Sequence, residues 1–426
     1  MKLLVKGGRV IDPASGRDEV ADVLIENECF AAMDASARRA RADRTIDARG
    51  LVVAPGLIDI CARLREPGFE YRATLESEMD AAVAGGVTSL ACPPDTDPPL
   101  DEPGLVEMLR RRAKSLSRAR VYPIGALTVK LAGERLTEMA ELSESGCVAF
   151  TQANIPLDDT QVLWRALQYA GTFGFPVWLR AEDVSLARDG VAHDGDVATR
   201  LGLPGIPAFA ETIALGKLLL LVRATGTRLH VCRISTAGAV EMIRAAKAEK
   251  LPVSCDIGIH HAHLSEMDLG YFDSHCHLVP PLRSMRDRDA LRAGLADGTI
   301  DVICSDHTPM DEDVKQMPFA ESEVGATGLE LLLPLTLKWA TETRLPLVKA
   351  LAKVTSDAAR VLGVKSGRIE PGAPADLVIF DPDEPFRVVP EALKSQGKNT
   401  PFIGYELQGR ARYTLVAGNV VFGKPW

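Results

Sequence analysis

The chain has 426 residues, 46% of them hydrophobic and 25% charged, which excludes a disordered or low-complexity protein and leaves ample length to bury a large core. With 49 basic and 58 acidic residues the net charge is −9 and no long basic tract occurs, so neither nucleic acid nor an anionic membrane is expected as a partner. The eight cysteines (Cys29, Cys61, Cys92, Cys147, Cys232, Cys255, Cys276, Cys304) are scattered without a C-x-x-C pair, as expected for reduced thiols in the cytoplasm rather than a disulfide framework.

The chain starts Met-Lys-Leu-Leu-Val-Lys-Gly-Gly, without a stretch of signal-peptide form, and no window approaches ~20 apolar residues, so no membrane span is expected. Residues 1–53 read as short strands: Leu3-Leu4-Val5, Val10-Ile11-Asp12 after a Gly7-Gly8 turn, Asp22–Glu26, Thr45–Ala48 and Gly50–Val53. From about residue 54 the rhythm changes. The apolar run Ala54–Ile60 leads into Cys61-Ala62-Arg63-Leu64-Arg65, a strand delivering side chains to its C-terminal end. Thr74 is placed to cap a helix through Val83, ended by Gly85-Gly86, and Val87–Cys92 is a strand. Helices over 105–119, 136–145, 160–173, 208–224, 237–249 and 286–297 then alternate with strands at 121–125, 147–150, 176–180, 228–232, 252–256 and 300–304, and a helical region covers 328–363. The triplet Arg110-Arg111-Arg112 with Lys114 reads as a solvated helix face.

Eight extended segments alternating with helices predict an α/β protein, a closed (β/α)8 TIM barrel over 54–365. An open doubly wound sheet is the alternative, but no G-x-G-x-x-G follows the first strand. After residue 366 short strands return at Gly367–Ile369, Asp376–Asp381, Tyr413–Val416 and Val420–Phe422. Residues 1–53 plus 366–426 are therefore expected to form a small flanking β-sandwich domain built from both termini.

Catalytic groups in such a barrel come from strand C-termini. The stretches Leu57-Ile58-Asp59, Leu64-Arg65-Glu66-Pro67-Gly68, Gly202–Pro207, Pro280-Pro281-Leu282-Arg283-Ser284 and Asp301–Pro309 resemble the signature of the dihydroorotase family, cyclic-amide hydrolases of pyrimidine biosynthesis within the amidohydrolase superfamily. The tail Gly367–Gly372 with Ala375–Val378 resembles the closing β-segment of that superfamily. The resemblance spans almost the whole chain and implies the same barrel with a flanking β-domain.

Active members of that family hold zinc with a His-x-His pair on the first strand, an Asp or carbamylated Lys from a middle strand, one His from each of the next two, and an Asp from the last. The matching positions here are Cys61 and Arg63, Gln152-Ala153, Arg180 and Arg233; only Asp306 is retained. Zinc needs about four thiolate, imidazole or carboxylate donors, and guanidinium has no lone pair to give. No cofactor is expected, and zinc would be required only if the site were rearranged. In the resemblance an Arg and an Asn hold the substrate carboxylate; Arg65 is present, Asp95 replaces the Asn, Val279 stands where an Asn is expected and Met310 where a His is expected. Arg65, Asp95 and His307 are thus vestigial substrate-binding positions, and Asp306 is a vestigial catalytic group with no nucleophile to activate.

Several residues carry a plainer reading. Arg63, Arg180 and Arg233 are expected to form ion pairs, with Glu182, Asp183, Asp306 and Asp95 as candidate partners; an anion-binding pocket is the alternative. Cys61 reads as a small apolar filler, Asp59 as a group orienting a strand end, and His193 as structural. His260, His261, His263, His275 and His277 are not expected to bind metal, although His275-Cys276-His277 has ligand spacing for a strand. The resemblance implies a non-catalytic dihydroorotase-like protein, a companion of the aspartate carbamoyltransferase catalytic subunit of the bacterial kind, in a homo- or hetero-oligomer. The competing expectations are a metal-dependent hydrolase converting dihydroorotate to N-carbamoyl-aspartate, and an anion-sensing module using the arginines.

Overall fold

The computed structural model describes residues 2–33, 36–37 and 41–423, so residues 1, 34–35, 38–40 and 424–426 of the expected β-domain lie outside it. Parallel strands run through Leu57–Asp59, Val87–Cys92, Arg120–Pro123 continuing past Ile124 into Gly125–Ala126, Phe150–Thr151, Val177–Leu179, Leu229–Val231, Val253–Gly258 and Val302–Cys304. The last strand returns to the first. Ala62 bridges His307, the Arg63 N–H donates to the His307 carbonyl at 2.9 Å, and the His307 N–H donates to the Cys61 carbonyl at 3.2 Å. The (β/α)8 barrel is thereby closed, as the alternation of elements predicts.

The strands are apolar on both faces because both are covered. Leu57, Leu90, Val177, Leu179 and Ile303 belong to the large core shared with the helices. Their neighbours Ile58, Ala91, Trp178, Val302 and Cys304 form a separate cluster, which is the period-two alternation of a strand with two buried sides. Helix starts follow local chemistry: Thr74, Asp159, Thr236 and Ser284 each accept a backbone N–H in the first turn of the helices Leu75–Ala84, Thr160–Phe173, Ala237–Ala248 and Met285–Asp297. The helical region expected over 328–363 is three helices, Leu332–Thr343, Leu347–Ala352 and Ser356–Leu362. The first break falls at Arg344, left-handed at φ 55°, followed by Pro346, which cannot continue a helix. The strand expected from Cys147 is hydrogen-bonded as strand only at Phe150–Thr151.

The terminal strands form one eight-stranded sheet in the order Asn419–Phe422, Glu406–Val416, Leu377–Arg387, Val52–Pro55, Lys2–Asp12, Arg17–Glu26, Cys29–Met33, with Arg44–Asp47 also paired to Lys2–Asp12. It forks at a bulge between Val5 and Gly8, where Lys2–Asp12 leaves Arg44–Asp47 and takes up Val52–Pro55. Thus a single forked sheet, rather than two separate ones, carries the β-domain. Alternation also joins it to the barrel: Val53, Leu377 and Ile379 face a core of their own, while Val52, Ala54, Val378 and Phe380 pack into the barrel core. Among the described residues no helix is long and apolar enough to cross a membrane.

Candidate functional site

Asp59, at the end of the first barrel strand, is fully buried and ties that strand to the eighth. It accepts the Ser305 N–H at 2.9 Å, the Cys61 N–H at 3.2 Å and the Ser305 hydroxyl. Burial pushes its carboxyl up to about 6, against the pull of these donors. The chain then turns at Gly68, whose φ of 96° only glycine adopts easily and whose Cβ would sit 2.2 Å from the Asp97 carbonyl. The tight turn holds the 61–65 segment against the Asp95 loop.

From these strand ends three arginines converge on few carboxylates. Arg63 donates from Nε to Asp95 at 2.6 Å and from Nη1 to Asp306 Oδ1 at 3.2 Å and Thr308 at 3.0 Å. Arg233 donates to the same Asp306 oxygen at 2.8 Å and to the Asn154 side-chain oxygen at 2.7 Å. Arg180 forks onto Glu182 at 2.5 and 2.7 Å and reaches the Asn154 carbonyl at 2.9 Å. The Cys61 thiol lies 3.6 Å from Asp306 Oδ1. Arg63 and Arg233 are each 3% exposed, so these charges persist only because they are paired. Burial raises the Asp306 carboxyl, but Arg233 and Arg63 outweigh it and hold the group below the usual carboxylate range; Arg63 does the same to Asp95.

Of the expected ion-pair partners, Asp95, Asp306 and Glu182 are engaged as anticipated. Asp183 is not: it caps the short helix Val184–Ala187, accepting the Leu186 N–H at 3.1 Å. Of the vestigial substrate positions, Arg65 lies near enough to Asp95 for their charges to interact, while His307 turns away to Glu78. Arg65 turns to the Pro309 carbonyl at 3.0 Å and the Met310 sulfur at 3.3 Å; burial lowers its guanidinium to about 10. His307 is 1% exposed, with Nε2 2.5 Å from Glu78 and Nδ1 facing the N–H groups of Gly328 and Leu329. Because Nδ1 accepts, Nε2 is the donor, and no ring nitrogen of His307 is left for a ligand. Gln152 is spent on Thr128 and the Leu131 carbonyl.

Several participants escaped the sequence reading. Asn154, which bridges Arg180 and Arg233, lies in the strand-end segment 151–154 but carries no pattern of its own. Glu211 sits under the sixth strand end, accepting the N–H groups of Ser235 and Thr236 at 3.0 and 3.2 Å. Glu78 could have been noticed as an acidic residue one helical turn past the Thr74 cap, but its partner is 229 residues away.

The remaining histidines are individually anchored. His260, His261 and His263 reach the carbonyls of Thr327, Pro280 and Leu335, and His193 lies 3.3 Å from Arg283. The segment Ser274–Cys276 is a 3-10 turn, not a strand, so His275 contacts Asp273 while His277 contacts Ser322, and they do not converge. One His–Cys–Asp group could hold a metal among the described residues: His230, Cys232 and Asp256. It is closed on itself, with both ring nitrogens of His230 used, by Ser254 at 2.8 Å and Asp256 at 2.7 Å.

A zinc ion does not fit the matching strand-end positions. Arg63, Arg180 and Arg233 offer no lone pair, Gln152 and Ala153 no accessible anion, and Asp306 already accepts from two guanidiniums. The arrangement can pair charges and hold strand ends together.

Burial also fixes a pH response. His260, His263 and His277 are pushed down to about 4, so the unfolded chain takes up their protons first, near ~6.5, and stability falls as pH drops from there. Asp59, near 6, works in the opposite direction and offsets part of this. Asp306, Asp95 and Glu78 are lowered, so their contributions are complete above ~4 and are lost below it as they protonate. Urea midpoints should therefore decline from pH 7.5 to 5 and then drop more steeply toward pH 3. A flat profile above pH 5 would contradict the neutral buried histidines.

The described Dihydro-orotase-like family profile matches residues 50–239, and that of the Amidohydrolase family matches residues 191–422. A dihydroorotase-like protein of Pseudomonas aeruginosa is 44% identical over 420 residues, covering 99% of both chains. A protein named dihydroorotase from Syntrophotalea carbinolica is 44% identical over 422 residues, again 99% of both. Among solved structures, an L-hydantoinase (dihydropyrimidinase) from Arthrobacter aurescens superposes with a TM-score of 0.89 at 26% identity, over 99% of this chain and 96% of that one. A D-hydantoinase from Thermus sp. gives 0.82 at 23%, over 99% and 95%, a likeness of fold.

Proposed function

Since the chain belongs to the dihydroorotase-like family of amidohydrolases, we propose that it is a non-catalytic member serving pyrimidine biosynthesis as a structural companion of the aspartate carbamoyltransferase catalytic subunit. One observation carries the loss of catalysis. The single ligand position retained from the family's zinc set, Asp306, is occupied by Arg63 and Arg233, themselves substitutes for ligands. Without a metal there is neither an activated hydroxide nor a Lewis acid for a ring amide. The companion role rests on the family resemblance: a chain that keeps its barrel while its chemistry is lost is retained for its surface.

The rival reading is an active cyclic-amide hydrolase with a rearranged metal site. Two observations favour it: the Syntrophotalea carbinolica relative is named dihydroorotase, and His230, Cys232 and Asp256 lie close enough to share an ion. Two measurements decide. Purified protein should contain well under one zinc per chain and should not open dihydroorotate or hydantoin rings. It should also co-elute with the transcarbamoylase catalytic subunit at micromolar concentration. Stoichiometric zinc with turnover would sink the first half of the proposal, and independent elution the second.

A further inference from the structure

At the end of the barrel away from the arginine cluster, the strands Val177–Leu179, Leu229–Val231 and Val253–Gly258 begin around a recess of about 210 Å³. Trp178, His230 and Ser254 line it and are register partners on these three strands, and Arg228 and Arg360 line it too.

Ser254, His230 and Asp256 form one hydrogen-bonded chain. The Ser254 hydroxyl lies 2.8 Å from His230 Nδ1, and His230 Nε2 lies 2.7 Å from Asp256 Oδ2. A carboxylate only accepts, so Nε2 carries the proton and Nδ1 presents its lone pair to the Ser254 hydroxyl. His230 and Asp256 are 2% and 1% exposed. Asp256 is itself fixed by the Arg233 N–H, which donates to its other oxygen at 2.9 Å, and Trp178 lies against the imidazole with ring centroids 4.9 Å apart. Ser254 alone of the three is not fully buried. A hydroxyl, a base within hydrogen-bond reach and a carboxylate that orients the base are the parts of an activated nucleophile, and here the hydroxyl is the part that borders the recess.

We propose that Ser254, His230 and Asp256 are a metal-independent esterase site for small acyl esters that carry a negative charge. Ser254 Oγ bonds to the ester carbonyl carbon as its proton passes to His230 Nδ1, and Asp256 stabilises the imidazolium. The bond to the alcohol oxygen breaks and the alcohol leaves with that proton. Water then gives a proton to Nδ1 and attacks the acyl-serine; the acid departs and Ser254 recovers its proton. Ester and water become acid and alcohol, with no redox change and no further reactant. The recess equals about seven waters at ~30 Å³ each, which limits the acyl group to a short one. Among the described residues Arg228 bonds only the neutral Gly174 carbonyl, at 2.6 Å, so its charge is available to a carboxylate on the substrate, whereas Arg360 is shared with Asp301 and Asp357. The site uses none of the side chains at the strand C-terminal ends, so it stands apart from the ring-amide chemistry lost there.

The test treats the full chain, in EDTA, with a fluorophosphonate probe and, separately, with 4-nitrophenyl hemisuccinate and 4-nitrophenyl acetate. One probe per chain should be found on the peptide carrying Ser254, a readout that depends on no variant. Hemisuccinate should exceed acetate by about tenfold in kcat/KM, the worth of one modest charge pair. Ser254→Ala should abolish labelling and turnover, Asp256→Asn should lower turnover by about 100-fold or more, and Ser115→Ala, at an exposed serine of helix Pro103–Leu116, should change neither. Arg228→Gln should lower hemisuccinate turnover more than acetate turnover. No label on Ser254, turnover that survives Ser254→Ala, turnover that requires a metal, or a preference for acetate would each overturn the proposal. Zinc content and co-elution with the transcarbamoylase play no part in these readouts, so the esterase site and the companion role fail independently.

Discussion

Replacing Asp306 with alanine is expected to destabilise the fold by about 3–5 kcal/mol, the usual cost of stranding buried charge. One oxygen of this side chain accepts from Arg63 at 3.2 Å and Arg233 at 2.8 Å. Neither arginine can reach water in its place, and neither can shed its proton. Arg63 would keep Asp95, but Arg233 would retain only the neutral Asn154. Part of the loss is conformational, because Asp306 sits at φ 46°, which aspartate tolerates better than alanine. Asp306→Asn separates the two effects: it keeps the backbone preference and an acceptor oxygen, and should cost less. Coupling is the sharper check. Arg233→Met in the Asp306→Ala background should recover most of the loss, since the stranded charge leaves with its partner while Arg63 stays paired with Asp95. Urea unfolding of the four proteins measures this, and additive losses would show that the network is not the unit described.

Glu78→Ala should cost about 3 kcal/mol or more and loosen a defined segment. The carboxylate is fully buried and accepts from His307 at 2.5 Å, Ser77 at 2.8 Å, the Ser395 hydroxyl at 2.7 Å and the Gln396 N–H at 3.0 Å. Burial alone would raise its pKa; His307 and the hydroxyls hold it below the carboxylate range instead. The helix Leu75–Ala84, the turn after the eighth barrel strand and the segment around residue 395 meet on this one side chain. Hydrogen exchange should accelerate at Ser395 and Gln396 and at Gly328 and Leu329, whose N–H groups face His307. Unchanged protection at both places would mean that Glu78 only fills space there. Glu78→Gln should be milder, since an amide oxygen still accepts from His307.

The barrel was legible because its information is local. Strand after strand is a short apolar run, helix after helix has a cap such as Thr74 or Asp159, and the alternation alone implies a parallel sheet. The family resemblance supplied the strand-end positions, and the structure brings Arg63, Arg233 and Asp306 together there. What was not legible is pairing at long range. Nothing in the segment around Asp183 says that it will cap its own helix while Glu182, one residue earlier, takes the arginine. His307 looked like a site residue because it follows Asp306, yet adjacent residues leaving a strand point to opposite sides. Its partner on a remote helix has no sequence signature.

The forked sheet has a consequence for the order in which the protein is made. Val52–Pro55 pairs with Leu377–Phe380, across roughly 320 residues of chain. At about 5–20 residues per second on the ribosome, the first of these strands waits roughly 15–65 s for its neighbour. During that interval its unpaired side is an open template on a nascent chain, and a product stalled before residue 377 would keep it open indefinitely. The late arrival of one strand thus leaves Val52–Pro55 with an unpaired edge until residue 380 is made, and it marks that strand as the place where a holding chaperone would be needed first.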